Sequence, residues 1–201
     1  MMPFEMTIAE TKKESLIFDK ANTAQVRIYT DGSGYKGNAE VAAVLLKDNN
    51  MPKTLHYHLG PLTRNTSFKV EAVALNLGLH LLKKAVLPKG STLQIDNQGV
   101  IQLLAIFKQR QSHYHFDVAH KMMRSIAWKE GGRQEFGLKI AWIAAHSGAK
   151  GNKMVDKVAK EAAEGLSNPR DQLLVYLAKQ QDGLLISLLA LKQAHGARLR
   201  Q

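Results

Sequence analysis

Apolar and polar positions alternate along VRIYT (26–30) and TLHYHLG (54–60), and VAAVLLK (41–47) is a short apolar run; each predicts a strand. The polar, glycine-bearing stretches between them, DGSGYKGN (31–38) and DNNMPK (48–53), predict turns, so the three strands read as an antiparallel meander. After the loop PLTRNTS (61–67), residues 68–85 are apolar around most of a helical circumference, which predicts a largely buried helix. STLQI (91–95) predicts a fourth strand and residues 98–107 a helix. Residues 113–130 predict another helix, with Met122, Met123, Ile126 and Ala127 on its apolar side. GLKIAWI (137–143) predicts a fifth strand, AAHSGAKG (144–151) a loop, and residues 152–166 a helix. Residues 1–24 are polar and mixed, with a short helical pattern at 8–18. Beyond Asn168-Pro169, residues 170–195 are leucine-rich and helical, interrupted at Asp182-Gly183.

Three meander strands followed by a helix make the fourth strand parallel to one already in place, because a helical crossover returns the chain in the same direction. The sheet is therefore mixed. If the fourth strand lies beside the first, a switch point falls between them, and ligands of open α/β sheets bind outside the strand ends at such a point.

Composition narrows the picture. The 201 residues, 45% of them apolar, suit one domain with extensions, and the longest apolar stretches are too short to span a bilayer. Residues 1–20 carry charges throughout, unlike a signal peptide, so the expected location is intracellular, in cytoplasm or nucleus, with no membrane partner. With no cysteine, disulfides, thiolate chemistry and cysteine-ligated zinc are excluded. The net charge of +11, from 28 basic and 17 acidic residues, suits a polyanionic partner such as nucleic acid.

Candidate chemistry gathers at strand ends. Asp31 follows the first strand and Asp96 the fourth. In parallel neighbours these carboxylates stand side by side, where one tends to hold a proton unless a cation relieves the repulsion. Asp31-Gly32 also reads as a plain hairpin dipeptide. Glu71 is the only acid between Asp48 and Asp96 and lies in the apolar helix, either as a surface glutamate or as a ligand facing the strand ends. Asp156 flanks the apolar side of its helix, as a ligand or as an acid complementing the helix dipole. His146 sits in a glycine-flanked loop ten residues earlier, and Trp142 reads as strand-end core.

Taken in order, YTDGSG, the Glu71 helix, LQIDNQ and WIAAHSGAKGNKMVDKVAKEAA resemble the ribonuclease H family, in its type-1 branch, and most closely the ribonuclease H domains of fungal retrotransposon polyproteins. The resemblance covers roughly residues 24–166. It implies an α/β ribonuclease H-like fold, with a five-stranded mixed sheet in the order 3-2-1-4-5 flanked by helices, and a C-terminal helical extension. The expected domains are an N-terminal extension (1–23), the ribonuclease H domain (24–167) and the leucine-rich extension (168–201). It implies that Asp31, Glu71, Asp96 and Asp156 bind two Mg²⁺ ions, with Mn²⁺ as a substitute, and that His146 aids proton transfer or product release. Gly32 and Ser33 correspond to a tight turn that approaches the RNA strand, and Asn97, Gln98 and Asn152 to substrate-contacting positions. Family members often carry asparagines before the helical glutamate; here the stretch is Thr66-Ser67-Phe68, with Thr66 and Ser67 at the contact positions.

The implied activity is hydrolysis of the RNA strand of an RNA–DNA hybrid, leaving a 5′-phosphate and a 3′-hydroxyl. The competing reading is a catalytically inactive binding module of a retroelement polyprotein, which the presence of all four acids disfavours. The implied neighbour is a reverse transcriptase domain of the same polyprotein. The C-terminal leucines (Leu173, Leu174, Leu177, Leu184, Leu185, Leu188, Leu189, Leu191) are expected to pack on the domain or on a partner, possible self-association included.

Overall fold

In the computed structural model, the described residues are 4–47, 50–85, 90–106, 114–129, 137–145, 148–163 and 165–179. In chain order the elements are β1 (Glu5–Thr7), α1 (Lys12–Lys20), β2 (Val26–Tyr35), β3 (Asn38–Lys47), β4 (Lys53–Pro61), a 3₁₀ turn (Leu62–Arg64), α2 (Ser67–Lys84), β5 (Ser91–Ile95), α3 (Gln98–Leu104), α4 (Tyr114–Lys129), β6 (Leu138–Trp142), α5 (Lys150–Ala163) and α6 (Val175–Ala178).

The strands form one mixed sheet in the order β1-β6-β5-β2-β3-β4. β2, β3 and β4 are the antiparallel meander, while β5 and β6 run parallel to β2. The expected five-strand order holds as β4-β3-β2-β5-β6. The sheet has six strands rather than five, because β1 adds to the β6 edge in parallel, Glu5 opposite Lys139 and Thr7 opposite Ala141. Three residues carry too little periodicity to be read as a strand in sequence.

Asp31 also departs from expectation. The first strand does not stop before it: β2 continues through Asp31, Gly32 and Ser33 to Tyr35, paired with β3 throughout. The hairpin dipeptide is Lys36-Gly37, where both residues take left-handed backbone (φ 49° and 81°), as a tight two-residue turn requires. What ends at Asp31 is the pairing with β5, whose last partner pair is Thr30 and Ile95. Asp31 thus stands where β2 outlives its parallel neighbour.

The two faces of the sheet carry different cores. On one, α2 packs against β2 and β3 and is covered in turn by α4, with Phe68 and Phe116 5.5 Å apart at ring centroids. α2 is apolar nearly all round because it is buried nearly all round. Its start is capped by the Thr66 hydroxyl, which accepts from the Lys69 N–H. Met122, Met123, Ile126 and Ala127 are buried, as the pattern of α4 predicts. On the other face α5 packs over Tyr29, Ala42 and Val44, and Leu16 of α1 joins this smaller cluster. Glycines permit both close approaches. A Cβ at Gly78 would lie 2.6 Å from Thr30, and one at Gly151 would meet the Tyr29 ring.

The segment after α5 is not the long helix expected from residue 170. Its described part is a strap with the single short turn α6, and it buries Leu173, Leu174 and Leu177 in the main core. Leu184, Leu185, Leu188, Leu189 and Leu191 lie outside the described residues. Among the described residues no helix is long and apolar enough to cross a membrane.

Candidate active site

Three acids from three elements converge at the switch point. Asp31 of β2, Glu71 of α2 and Asp96, one residue past β5, each present a ligating oxygen, all within 4.8 Å of one another. Asp31 and Glu71 are buried and Asp96 half-buried. Each is placed by local structure. β2 carries Asp31 beyond the end of β5. Trp142, closing β6, donates its indole N–H to the Asp96 carbonyl (3.0 Å) and pins the backbone there.

Gly32 explains how Glu71 arrives. A Cβ at Gly32 would lie 2.8 Å from the Glu71 nitrogen and from the Val70 carbonyl carbon, so only glycine lets α2 approach this closely. The Gly32 N–H also donates to the Glu71 carboxylate. The glycine expected to form a substrate-facing turn is therefore a buried packing position within a strand.

Crowding charges these groups against one another. Burial, then the charge of Asp96, then that of Asp156, raises Asp31 to about 7. Burial and the charges of Asp96 and Asp31 raise Glu71 to about 10, and a hydrogen bond with Asp96 adds to the effect. At neutral pH the cluster holds protons that a cation would displace. Glu71 Oε2 is buried with no hydrogen-bond partner among the described residues, a state in which a metal ligand fits. The donor set is carboxylate oxygen alone, which suits hard divalent cations.

The other expected residues fall into four groups. Asp156 is not among the three clustered acids. It lies on α5 with Oδ2 2.7 Å from Lys160 Nζ, close enough for its charge to raise Asp31. Thr66 and Asn97 both cap helices: Asn97 Oδ1 accepts the Val100 N–H at 3.2 Å at the start of α3. Ser67 is exposed in the first turn of α2, Gln98 is half-buried at the first position of α3, and Asn152 is buried in the first turn of α5. His146 lies outside the described residues.

Sequence reasoning missed Glu40. It faces Ser33 across the β2–β3 ladder and is fully buried. Its Oε1 accepts the Ser33 hydroxyl at 3.1 Å, and a Tyr35 backbone hydrogen bond also reaches it. Burial raises its carboxyl, the two hydrogen bonds oppose that rise, and its charge reaches Asp31. The signal was available. Both faces of β3 are apolar, so an acid within that run had to be buried; starting the strand at Val41 left Glu40 outside it.

The model of the RNase H family matches residues 23–164. Among curated relatives, the Ribonuclease H of Mannheimia succiniciproducens is 28% identical over 148 residues, covering 70% of this chain and 88% of the relative. That of Actinobacillus succinogenes is 29% identical over 148 residues, covering 70% and 90%. Among solved structures, RNase H1 from Halobacterium salinarum aligns with a TM-score of 0.50 at 19% identity, over 70% of this chain and 98% of that one. The N-terminal RNase H domain of a Mycobacterium tuberculosis protein, solved as a fusion with maltose-binding protein, aligns with a TM-score of 0.50 at 17% identity, over 68% and 96%.

Proposed function

The chain belongs to the RNase H family, a metal-dependent family acting on RNA–DNA hybrids, and from that premise we propose that it is an endoribonuclease cutting the RNA strand of such hybrids with two divalent ions. The observation that carries the reading is the convergence of Asp31, Glu71 and Asp96 within 4.8 Å at the sheet's switch point. Asp31, Glu71 and Asp96 would hold the metal, and Asp156, on exchanging Lys160 for an ion, would complete the second position. Mg²⁺ or Mn²⁺ in these positions supplies activation of the attacking water and charge stabilisation at the leaving 3′ oxygen.

The chain's own groups do the rest. Glu71 and Asp31 would release protons on binding the ions, because burial first and mutual repulsion second raise their pKa values and a cation would offset both. Ser33, Ser67 and Gln98 lie on the segments bordering the carboxylates and are, with Asn152 of α5, the proposed contacts to the hybrid; Gly32, Thr66 and Asn97 shape those segments. RNA selectivity rests on contacts to 2′-hydroxyls. His146 is proposed to assist proton transfer or product departure. The cleaved RNA carries a 5′-phosphate and a 3′-hydroxyl. The proposed catalytic unit is residues 24–167. A reverse transcriptase neighbour, a fungal retroelement origin and self-association through the C-terminal leucines rest on the sequence resemblance and pattern alone.

The test is cleavage of a labelled RNA–DNA hybrid, with RNA–RNA and DNA–DNA duplexes as controls, in Mg²⁺, Mn²⁺ and EDTA. The expected outcome is metal-dependent cutting of the hybrid's RNA by the wild type and none by Asp96→Asn. A folded, hybrid-binding wild type that cuts in neither metal would overturn the enzyme reading in favour of a binding module.

A further inference from the structure

A cavity of about 770 Å³ opens on the α5 face of the sheet, between α1, the first half of β2, the end of β3 and the start of α5. Its walls are of two kinds. Leu16, Tyr29, Leu46 and Met154 give an apolar floor. Lys20, Arg27, Lys47 and Lys150 give a cationic rim, against the single carboxylate of Asp19, a surplus of three positive charges (4 − 1). That carboxylate is already engaged: its Oδ1 accepts the Tyr29 hydroxyl at 2.7 Å and the Gln94 amide at 2.6 Å, which ties α1 to the sheet.

Two further features point to an anion. Arg27 is half-buried, and its Nε is buried with no hydrogen-bond partner among the described residues, a donor left unmade only at a cost. Lys150 and Gly151 border the cavity from the first turn of α5, where backbone N–H groups have no intrahelical acceptor. The volume is within the ordinary range for small-molecule sites, which pair apolar walls with a few polar groups.

We propose that this cavity binds a phosphate monoester carrying a flat apolar body, of the class of a nucleoside monophosphate. The phosphate meets Lys20, Arg27 and Lys150, and the base lies on the apolar floor beside Tyr29. The site is separate from the carboxylates: Arg27 precedes Asp31 by about 13 Å of extended strand. Its α1 wall precedes residue 23, where the family match begins. It does not depend on the nuclease reading.

The experiment is calorimetric titration of the full chain in EDTA, which keeps metal-bridged phosphate out of the acidic site, with AMP, adenosine, inorganic phosphate and a 5′-phosphorylated DNA oligomer. The expected result is one AMP per chain, with adenosine and inorganic phosphate each bound about tenfold more weakly or worse, since each lacks one half of the ligand. Lys20→Glu and Arg27→Gln should each weaken AMP by about tenfold, the worth of a charge-assisted hydrogen bond, without changing hybrid cleavage. Lys20 is exposed at the end of α1, so its variant carries the test should Arg27→Gln misfold. Binding of the oligomer in preference to AMP, weakened by the same variants, supports the phosphate site and gives a strand end as its source. No heat with any phosphate ligand at millimolar concentration, or AMP binding unchanged in a folded Lys20→Glu, would overturn the proposal.

Discussion

Gly32 meets two demands at one position: it admits the backbone of α2 and donates its N–H to Glu71. Gly32→Ala sets a methyl 2.8 Å from helix backbone, which cannot swing aside as a side chain could. The expected loss is about 1–3 kcal/mol of stability by urea unfolding, together with loss of cleavage, because α2 must withdraw and take Glu71 with it. The protonation of the acids gives a second prediction with a definite sign. Asp31 is raised to about 7 and Glu71 to about 10, by burial first and then by Asp96. Between their ordinary values near 4 and these raised values, the folded chain holds protons that the unfolded chain has released. Stability of the metal-free protein is therefore fully present near pH 4 and falls as pH rises through 7 and on towards 10. Asp96→Asn removes the leading charge behind both shifts. In EDTA at pH 8 its melting temperature should exceed the wild type's by a few degrees, since about 1 kcal/mol moves a chain of this size by roughly 2–4 °C. A variant no more stable than wild type at pH 8 would refute the repulsion that the raised values imply. Glu40→Ala frees the Ser33 hydroxyl from its buried acceptor. Steady-state kinetics on hybrid should show a higher KM with little change in kcat, and Glu40→Gln, which keeps an acceptor oxygen, should recover most of it.

At the scale of elements, the long helices α2, α4 and α5 are legible and the strand margins are not, for a physical reason. α2, α4 and α5 announce themselves through apolar positions repeated over several turns, and the buried residues of each match that pattern. β2 was cut short because Asp-Gly is a strong local turn signal, yet ten ladder pairs with β3 outweigh it. Of the site, Asp31 and Asp96 could be placed because strand order alone brings them together, whereas Glu71 was placed by the family resemblance. The burial of Glu40 was legible in the apolar run around it, but its pairing with Ser33 and the Gly32 contact were not, since both arise from cross-strand or helix–strand pairing. α1 shows the same limit. Its pattern is weakly apolar, and it is held by polar ties: Asp19 to Tyr29 and Gln94, Ser15 Oγ to the Ala144 N–H (3.2 Å), and Asn22 Nδ2 to Thr92 Oγ1 (2.8 Å). Asp19→Ala strands the Tyr29 hydroxyl and the Gln94 amide. It should cost about 1–3 kcal/mol in urea unfolding, with amide exchange quickening first in α1.

For the whole molecule, the segments outside the matched residues close the sheet at both margins. β1 covers the edge of β6, and the strap after α5 runs along β4, the other edge. There Asn168 donates its N–H to the His56 carbonyl (3.1 Å) and accepts the His56 N–H on Oδ1 (2.8 Å), while His58 donates its N–H to Ser167 Oγ (2.9 Å). An uncovered edge strand is a template for pairing with another chain, so the strap protects as well as stabilises. Farther on, the Gln172 carbonyl accepts from Lys84 at 3.1 Å, and Tyr176 receives a hydrogen bond from the amide of Asn76, deep in α2. Leu173, Leu174 and Leu177 enter the main core, each worth about 1.5–3 kcal/mol on burial. Their sum approaches the whole stability of an ordinary domain. A chain ending at residue 166 still contains every residue matched by the family model, yet it should melt far below the full chain or aggregate through β4. A chain ending at residue 179 keeps the strap and should melt well above the chain ending at 166. Equal melting of these two chains would show that the strap is dispensable. A soluble but destabilised 166-residue chain that regains stability with a separate 165–179 peptide would show that the strap acts through these contacts.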